Sequence, residues 1–287
     1  MILAAGAADA EPASLDDYMK QARHAPAATV HYGPATSQVA ELFLPKGKGP
    51  HPVVVLLHGG CFQKELEGFA QTSALAADLA GRGYAVWNVE YRKLGETGAG
   101  YPGTFQDVAT ALDRLRSEAP KHDLDLGRVV AVGHSAGGCL ALWAASRGKL
   151  PAASPLRAAD PLAIGAVVSL AGIGDLKGQG KAFGLPCGEH TIDRLIDAAG
   201  REAPFADTSP AELLPTGAKV VMVHGVFDSA MPPYTGRDYA AKVLQAGDRA
   251  EVVTIPNAGH FDVVIPTTAA WTEVVGIIDR EMKSLAQ

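Results

Sequence analysis

Short apolar runs rich in β-branched residues recur along this chain, and between them lie longer stretches with helical spacing. The runs are Val53 to Leu57, Tyr84 to Val89, Arg128 to Val132, Ile164 to Leu170, Lys219 to His224 and Glu251 to Ile255. Runs this apolar throughout read as strands buried on both faces, the mark of a parallel sheet covered by helices. The intervening helices are expected at about Gly68 to Arg82, Thr104 to Glu118, Ala136 to Arg147, Tyr234 to Ala246 and Thr267 to Leu285. Two alternating segments, Thr29 to Tyr32 and Gln38 to Leu44, predict an antiparallel start to the sheet. The expected class is α/β: a mostly parallel central sheet of about eight strands with helices on both faces.

No linker or internal repeat divides the chain, so residues 11–287 are expected to form one domain, a length that can bury roughly three quarters of its unfolded surface. From Gly172 to Pro215 glycines and prolines interrupt the rhythm, with one modest helix candidate, Thr191 to Ala199. Extra sequence at the carboxyl end of a parallel strand lies beside the site those ends build. Residues 172–215 are therefore expected to form a small cap inserted after the strand ending near Leu170; a surface excursion without a role is the other reading. Residues 1–10, apolar and ending Ala8-Asp9-Ala10, resemble the tail of an export signal without its basic start. That reading implies a periplasmic or secreted protein; an alanine-rich start without targeting meaning leaves it cytoplasmic.

The last strand-to-helix junction of the first half reads Val132-Gly133-His134-Ser135-Ala136-Gly137-Gly138. Small residues flank Ser135 as a sharp strand-to-helix turn requires, which makes it a nucleophile elbow. A serine hydroxyl needs a base, and the base needs an orienting group. Asp228 follows the run ending at Gly225, and His260 follows the run ending at Ile255. Both then fall at carboxyl ends of strands, on the edge that carries Ser135. Asp262 sits too near His260 along the chain and Asp238 lies within a helix, leaving Asp175 as the competing acid. His58 and His224 are assigned structural roles, and His134 is expected to point away from substrate. His58-Gly59-Gly60-Cys61-Phe62 follows the first apolar run, and the amides of Gly60 and Cys61, with that of Ala136, are the expected oxyanion donors.

With these motifs in place, the chain resembles an α/β-hydrolase, and within that fold the esterases of the hormone-sensitive-lipase type and their kynurenine formamidase-like and feruloyl-esterase-like relatives. The resemblance runs from about Val53 to Leu285 and adds Val89-Glu90-Tyr91-Arg92, Tyr101-Pro102-Gly103 and Met231-Pro232 to the motifs above. It implies serine-dependent hydrolysis of a small-molecule ester, or of a small formamide or arylamide, with no cofactor and no metal. Cys61 stands where many such esterases have a third glycine and His134 where they have aspartate, which favours the formamidase-like or peptidase-like relatives. An inert binding module would more often have lost one of Ser135, Asp228 and His260. Candidate pocket residues are Phe62, Phe183, Leu185, Met231 and Phe261, chosen because they neighbour the catalytic loops or lie in the cap.

A net charge of -6 with charged residues at 20% supplies no basic footprint, so nucleic acid is not an expected partner. No apolar run is long enough to span a bilayer. Cys61, Cys139 and Cys187 have no metal-type spacing, and their odd number leaves at least one thiol unpaired within a monomer. Neither their pairing nor the oligomeric state follows from spacing.

Overall fold

The computed structural model describes residues 11–66 and 68–287; the export-signal reading of residues 1–10 lies outside them. Eight strands form one sheet: β1 (Ala28–His31), β2 (Val39–Phe43), β3 (His51–Leu57), β4 (Ala85–Val89), β5 (Leu124–His134), β6 (Ala166–Leu170), β7 (Lys219–Gly225) and β8 (Ala250–Ile255). Their spatial order is β1-β2-β4-β3-β5-β6-β7-β8. β1 and β2 pair antiparallel, β2 meets β4 antiparallel, and every remaining neighbour is parallel. The expected α/β-hydrolase architecture is thus present, including its antiparallel start.

Side chains alternate across the strands and feed two separate cores. Val53, Val55, Leu57, Val129 and Ala131 face a layer built by α3 (Gly103–His122), α4 (Ala136–Ala145) and α7 (Pro233–Gln245). Val54, Leu56, Val130, Val132, Val221 and Val223 face α2 (Ser73–Gly81) and α8 (Ala269–Ser284). Burying one such Val or Leu fully is worth about 1.5–3 kcal/mol over leaving it exposed, and central strands buried on both faces collect that gain on every residue, alternately toward one core and the other. Among the described residues no helix is long and apolar enough to cross a membrane.

β5 begins earlier than its apolar run suggests because the pairing with β3 slips between Pro52 and Val53, letting Leu124 and Asp125 join the sheet before a local irregularity. α3 runs past Pro120 to a left-handed cap at Asp123; a proline in the last turn removes one amide from the ladder and leaves the helix intact before it.

Two helices depart from expectation. Before β1 lies α1 (Leu15–Met19), whose N-terminus is closed by a capping box in which Ser14 and Asp17 exchange hydrogen bonds. Between β6 and the Thr191 candidate, observed as α6 (Thr191–Ile196), lies α5 (Leu176–Cys187). Its three glycines and Pro186 give it poor helix propensity. Asp175 caps it through the amide of Gly178, while Leu176, Phe183 and Cys187 are buried, so tertiary packing overrides the local preference. The segment 172–215 therefore carries two packed helices and a 3-10 turn at Pro210–Leu213 rather than one helix.

Candidate active site

Three strands end around one cavity. β5 passes through Ser135 directly into α4, and the turn is so tight that Ser135 adopts φ 51° and ψ -116°, a region that L-residues occupy at a cost of order 1–3 kcal/mol. The surroundings enforce it: the Ser135 amide donates to Leu170 O at 2.8 Å. A Cβ on Gly133 would collide with the Gly137 carbonyl, and one on Gly137 with the carbonyls of Leu57 and His58. All of α4 from Ala136 to Ala144 is buried, which fixes the helix whose amino end lies under the site and favours negative charge there.

β7 delivers Asp228 and β8 delivers His260, with His260 Nδ1 at 2.8 Å from Asp228 Oδ2. The other carboxylate oxygen, Oδ1, accepts the Met231 amide at 2.7 Å, so both oxygens are committed. The two loops brace each other through Val226 N to Ile255 O and Phe227 N to Ala258 O. Asp175, the competing acid, caps α5 and pairs with Lys242 Nζ at 2.5 Å. Asp238 lies within α7. Asp262 Oδ2 accepts the amides of Gly259 at 2.8 Å and Ala13 at 3.0 Å, tying the His260 loop to the segment before α1.

His134 is buried and is not part of the cavity wall, and it has a structural task. Its ring sits 4.6 Å from that of His260, and Nε2–H donates to His260 O at 3.0 Å. Burial, followed by the neighbouring His260, holds its pKa well below the usual histidine value, so a neutral imidazole braces the backbone of the candidate base. No motif signals this, because the two residues are remote in sequence.

The loop after β3 turns through consecutive positive φ values at Gly60, Cys61 and Phe62. Beneath it His58 stacks on Tyr91 at 4.3 Å, donating from Nδ1 to Gly59 O and from Nε2 to Glu90 Oε1, each at 2.8 Å. His224 likewise serves structure, with Nδ1 against Met231 O. Glu90 also accepts the amides of Tyr91 and Phe69 and lies 3.2 Å from Lys93 Nζ. Burial works to raise its pKa, but His58, Lys93 and the Tyr91 amide together lower it from 4.5 to about 2. A folded-state pKa below the unfolded one means that Glu90 stabilises the fold fully above pH 4.5 and ceases to as pH falls toward 2. The contribution is on the order of 3 kcal/mol. Denaturant midpoints across this window should therefore drop on acidification in the wild type. Glu90→Gln should be less stable at pH 7, by about 3–5 kcal/mol, with a flatter profile; an unchanged profile would contradict the assignment.

Cys61 is joined to Cys187 of α5 by a disulfide spanning 126 residues, while Cys139 is a buried free thiol. Gln63 Nε2 adds a 2.6 Å hydrogen bond to Cys187 O. The loop after β3 and the end of α5 are thus held by one covalent and one polar link at the same point.

The cavity, of about 420 Å³, is lined by Gly60, Cys61, Ser135 and His260 together with Phe183, Cys187, Met231 and Phe261. Ser135 Oγ makes no hydrogen bond to His260 among the described residues; the two share the wall. Of the candidate pocket residues, Phe183, Met231 and Phe261 line it. Phe62 is buried below, its ring 5.6 Å from Phe183. Leu185 is 89% exposed and is not part of the wall: Phe183 and Cys187 share the inner face of α5, and a residue midway between them points out. Leu15, Met19, Glu65, Leu66, Pro186 and Ala230 complete the lining. Neither α1, which carries Leu15 and Met19, nor α5, which carries Pro186, is marked by the local sequence pattern. Among the described residues no group of three His, Cys, Asp or Glu is arranged to hold a metal.

The family model BD-FAE matches residues 40–243. Among solved structures, esterase B of Lactobacillus Rhamnosis (HN001) superposes with a TM-score of 0.77 at 18% identity, covering 94% of this chain and 90% of that one. Thermogutta terrifontis esterase 2, phosphonylated by sarin, gives 0.72 at 22% identity, covering 88% and 92%. A bifunctional GH43-CE protein of Bacteroides eggerthii gives 0.72 at 21% identity over 88% of this chain, which spans 37% of that protein's length. At these identities the structures speak to fold. No curated protein matches the chain.

Proposed function

The chain belongs to the BD-FAE family of α/β-hydrolase-type serine esterases, and from that premise we propose that it cleaves esters of short or compact aromatic acyl groups through an acyl-enzyme on Ser135. The observation that carries the residue assignment is the 2.8 Å Asp228–His260 contact beside Ser135 at the carboxyl edge of one sheet.

Asp228 accepts Nδ1–H of His260, leaving Nε2 as the free lone pair that takes the Ser135 proton as Oγ adds to the carbonyl carbon. The carbonyl oxygen becomes an oxyanion facing the amides of Gly60, Cys61 and Ala136, donors whose individual loss typically costs ~10²–10³ in rate. His260 then protonates the departing alkoxide. Water enters, loses a proton to His260 and attacks the acyl carbon; collapse returns the proton to Ser135 and releases the acid.

A cavity of about 420 Å³ closed by Phe183, Met231 and the Cys61–Cys187 bridge suits a compact acyl group. Across 4-nitrophenyl acetate, butyrate, octanoate and palmitate, the specificity constant should peak at acetate or butyrate. A maximum at palmitate would overturn the preference, and a higher constant on a matched anilide than on the ester would replace ester by amide as the preferred bond.

A further inference from the structure

α1 lies before the segment that matches the family, and it is pinned against the loop that carries His260. Tyr18 is wholly buried, stacked on Phe261 at 5.6 Å and edge-on to His134 at 5.9 Å. The Ala13 amide shares Asp262 Oδ2 with Gly259. Anchored in this way, α1 turns Leu15 and Met19, one helical turn apart, toward the cavity, where both line the wall and stay 42% and 40% exposed. Their burial therefore contributes little to stability, while they share the cavity wall with Ser135 and His260.

The reaction geometry says which part of a substrate meets them. The carbonyl oxygen must face Gly60, Cys61 and Ala136, and the leaving oxygen must come to His260 to be protonated. The group attached to that leaving oxygen continues past His260 along Phe261, and beyond Phe261 stands α1. The acyl group is then left the remainder of the cavity, which Phe183 and Cys187 line.

We infer that Leu15 and Met19 form the wall that receives the alcohol portion of the ester, making the chain selective for apolar, aryl-sized leaving groups. This rests on the esterase reading above. Leaving-group contacts exist during acylation and have gone once the acyl-enzyme forms, so they act on the acylation step alone.

The test compares ethyl butyrate with 1-naphthyl butyrate in the wild type and in Leu15→Ala/Met19→Ala. The naphthyl-to-ethyl ratio of specificity constants should fall about tenfold, the scale set by withdrawing a few methylenes from an apolar pocket. Deacylation of the butyryl-enzyme, common to both esters and read by stopped flow, should stay within about twofold, because its acyl group lies elsewhere. An unchanged ratio, or a deacylation rate slowed as much as acylation, overturns the inference. Met19→Ser alone, a single half-exposed change, must move the ratio in the same direction should the double variant melt early. A wild type that hydrolyses neither ester defeats the esterase reading itself, whereas wild-type turnover with an unaltered ratio in the variants defeats only the role of α1.

Discussion

Ser135→Ala is expected to lower turnover of a short 4-nitrophenyl ester by on the order of 10⁴–10⁶, the scale seen when a triad nucleophile is removed. The substitution takes away one oxygen and leaves the rest of the elbow in place. The strain at φ 51° is imposed by the Ser135 amide bond to Leu170 and by the Gly133–Gly137 contact, neither of which involves the hydroxyl. Melting temperature should accordingly change little while activity collapses, which separates loss of the nucleophile from loss of the fold. A fluorophosphonate should label the wild type stoichiometrically at Ser135 and the variant not at all. Activity within tenfold of wild type, or an adduct elsewhere, would sink the assignment.

Asp228→Asn should cost about 10⁴ in turnover at neutral pH, and the reason is a proton placed on the wrong nitrogen. The Met231 amide donates to one carboxylate oxygen, so an asparagine must keep its carbonyl oxygen there. Its NH₂ then faces His260 Nδ1, where the carboxylate had accepted an N–H. To accept that donor, Nδ1 gives up its hydrogen and the imidazole carries it on Nε2, the nitrogen that must receive the Ser135 proton. Reversing the amide would set its NH₂ against the Met231 N–H, donor to donor. Fluorophosphonate labelling of Ser135 should slow in parallel with turnover, and a loss below about tenfold would return Asp175 to consideration.

What could be read beforehand was whatever is written locally. The strands β3 to β7 announce themselves because burial on both faces demands apolar runs, the half-buried edge strand β8 shows a weaker version of the same pattern, and the elbow is legible because only small residues let β5, α4 and the end of β3 approach so closely. Asp228 and His260 lie where periodicity alone places them, after β7 and β8. The walls of the cavity were harder to see. α5 hides behind three glycines and a proline, and it exists because Leu176, Phe183 and Cys187 find a buried surface. α1 is a helix of five residues whose stability comes from Tyr18 against Phe261. Leu185 lies in the 172–215 segment, but at two positions from Phe183 and from Cys187 it falls on the opposite side of α5 from their buried face. The Cys61–Cys187 pair, 126 residues apart, depends on a distance that no spacing rule supplies.

That bridge sets how substrate comes and goes. Cys61 belongs to the loop after β3, Cys187 ends α5, and their Cα atoms are 5.3 Å apart. The end of α5, bonded at that point, cannot swing away from the loop after β3 while the bridge is intact. Entry and product release must then use an opening that exists with α5 in place. Discrimination among substrates is then made by the shape of a permanently formed opening rather than by a closing motion, and an oil–water interface has no gate to open.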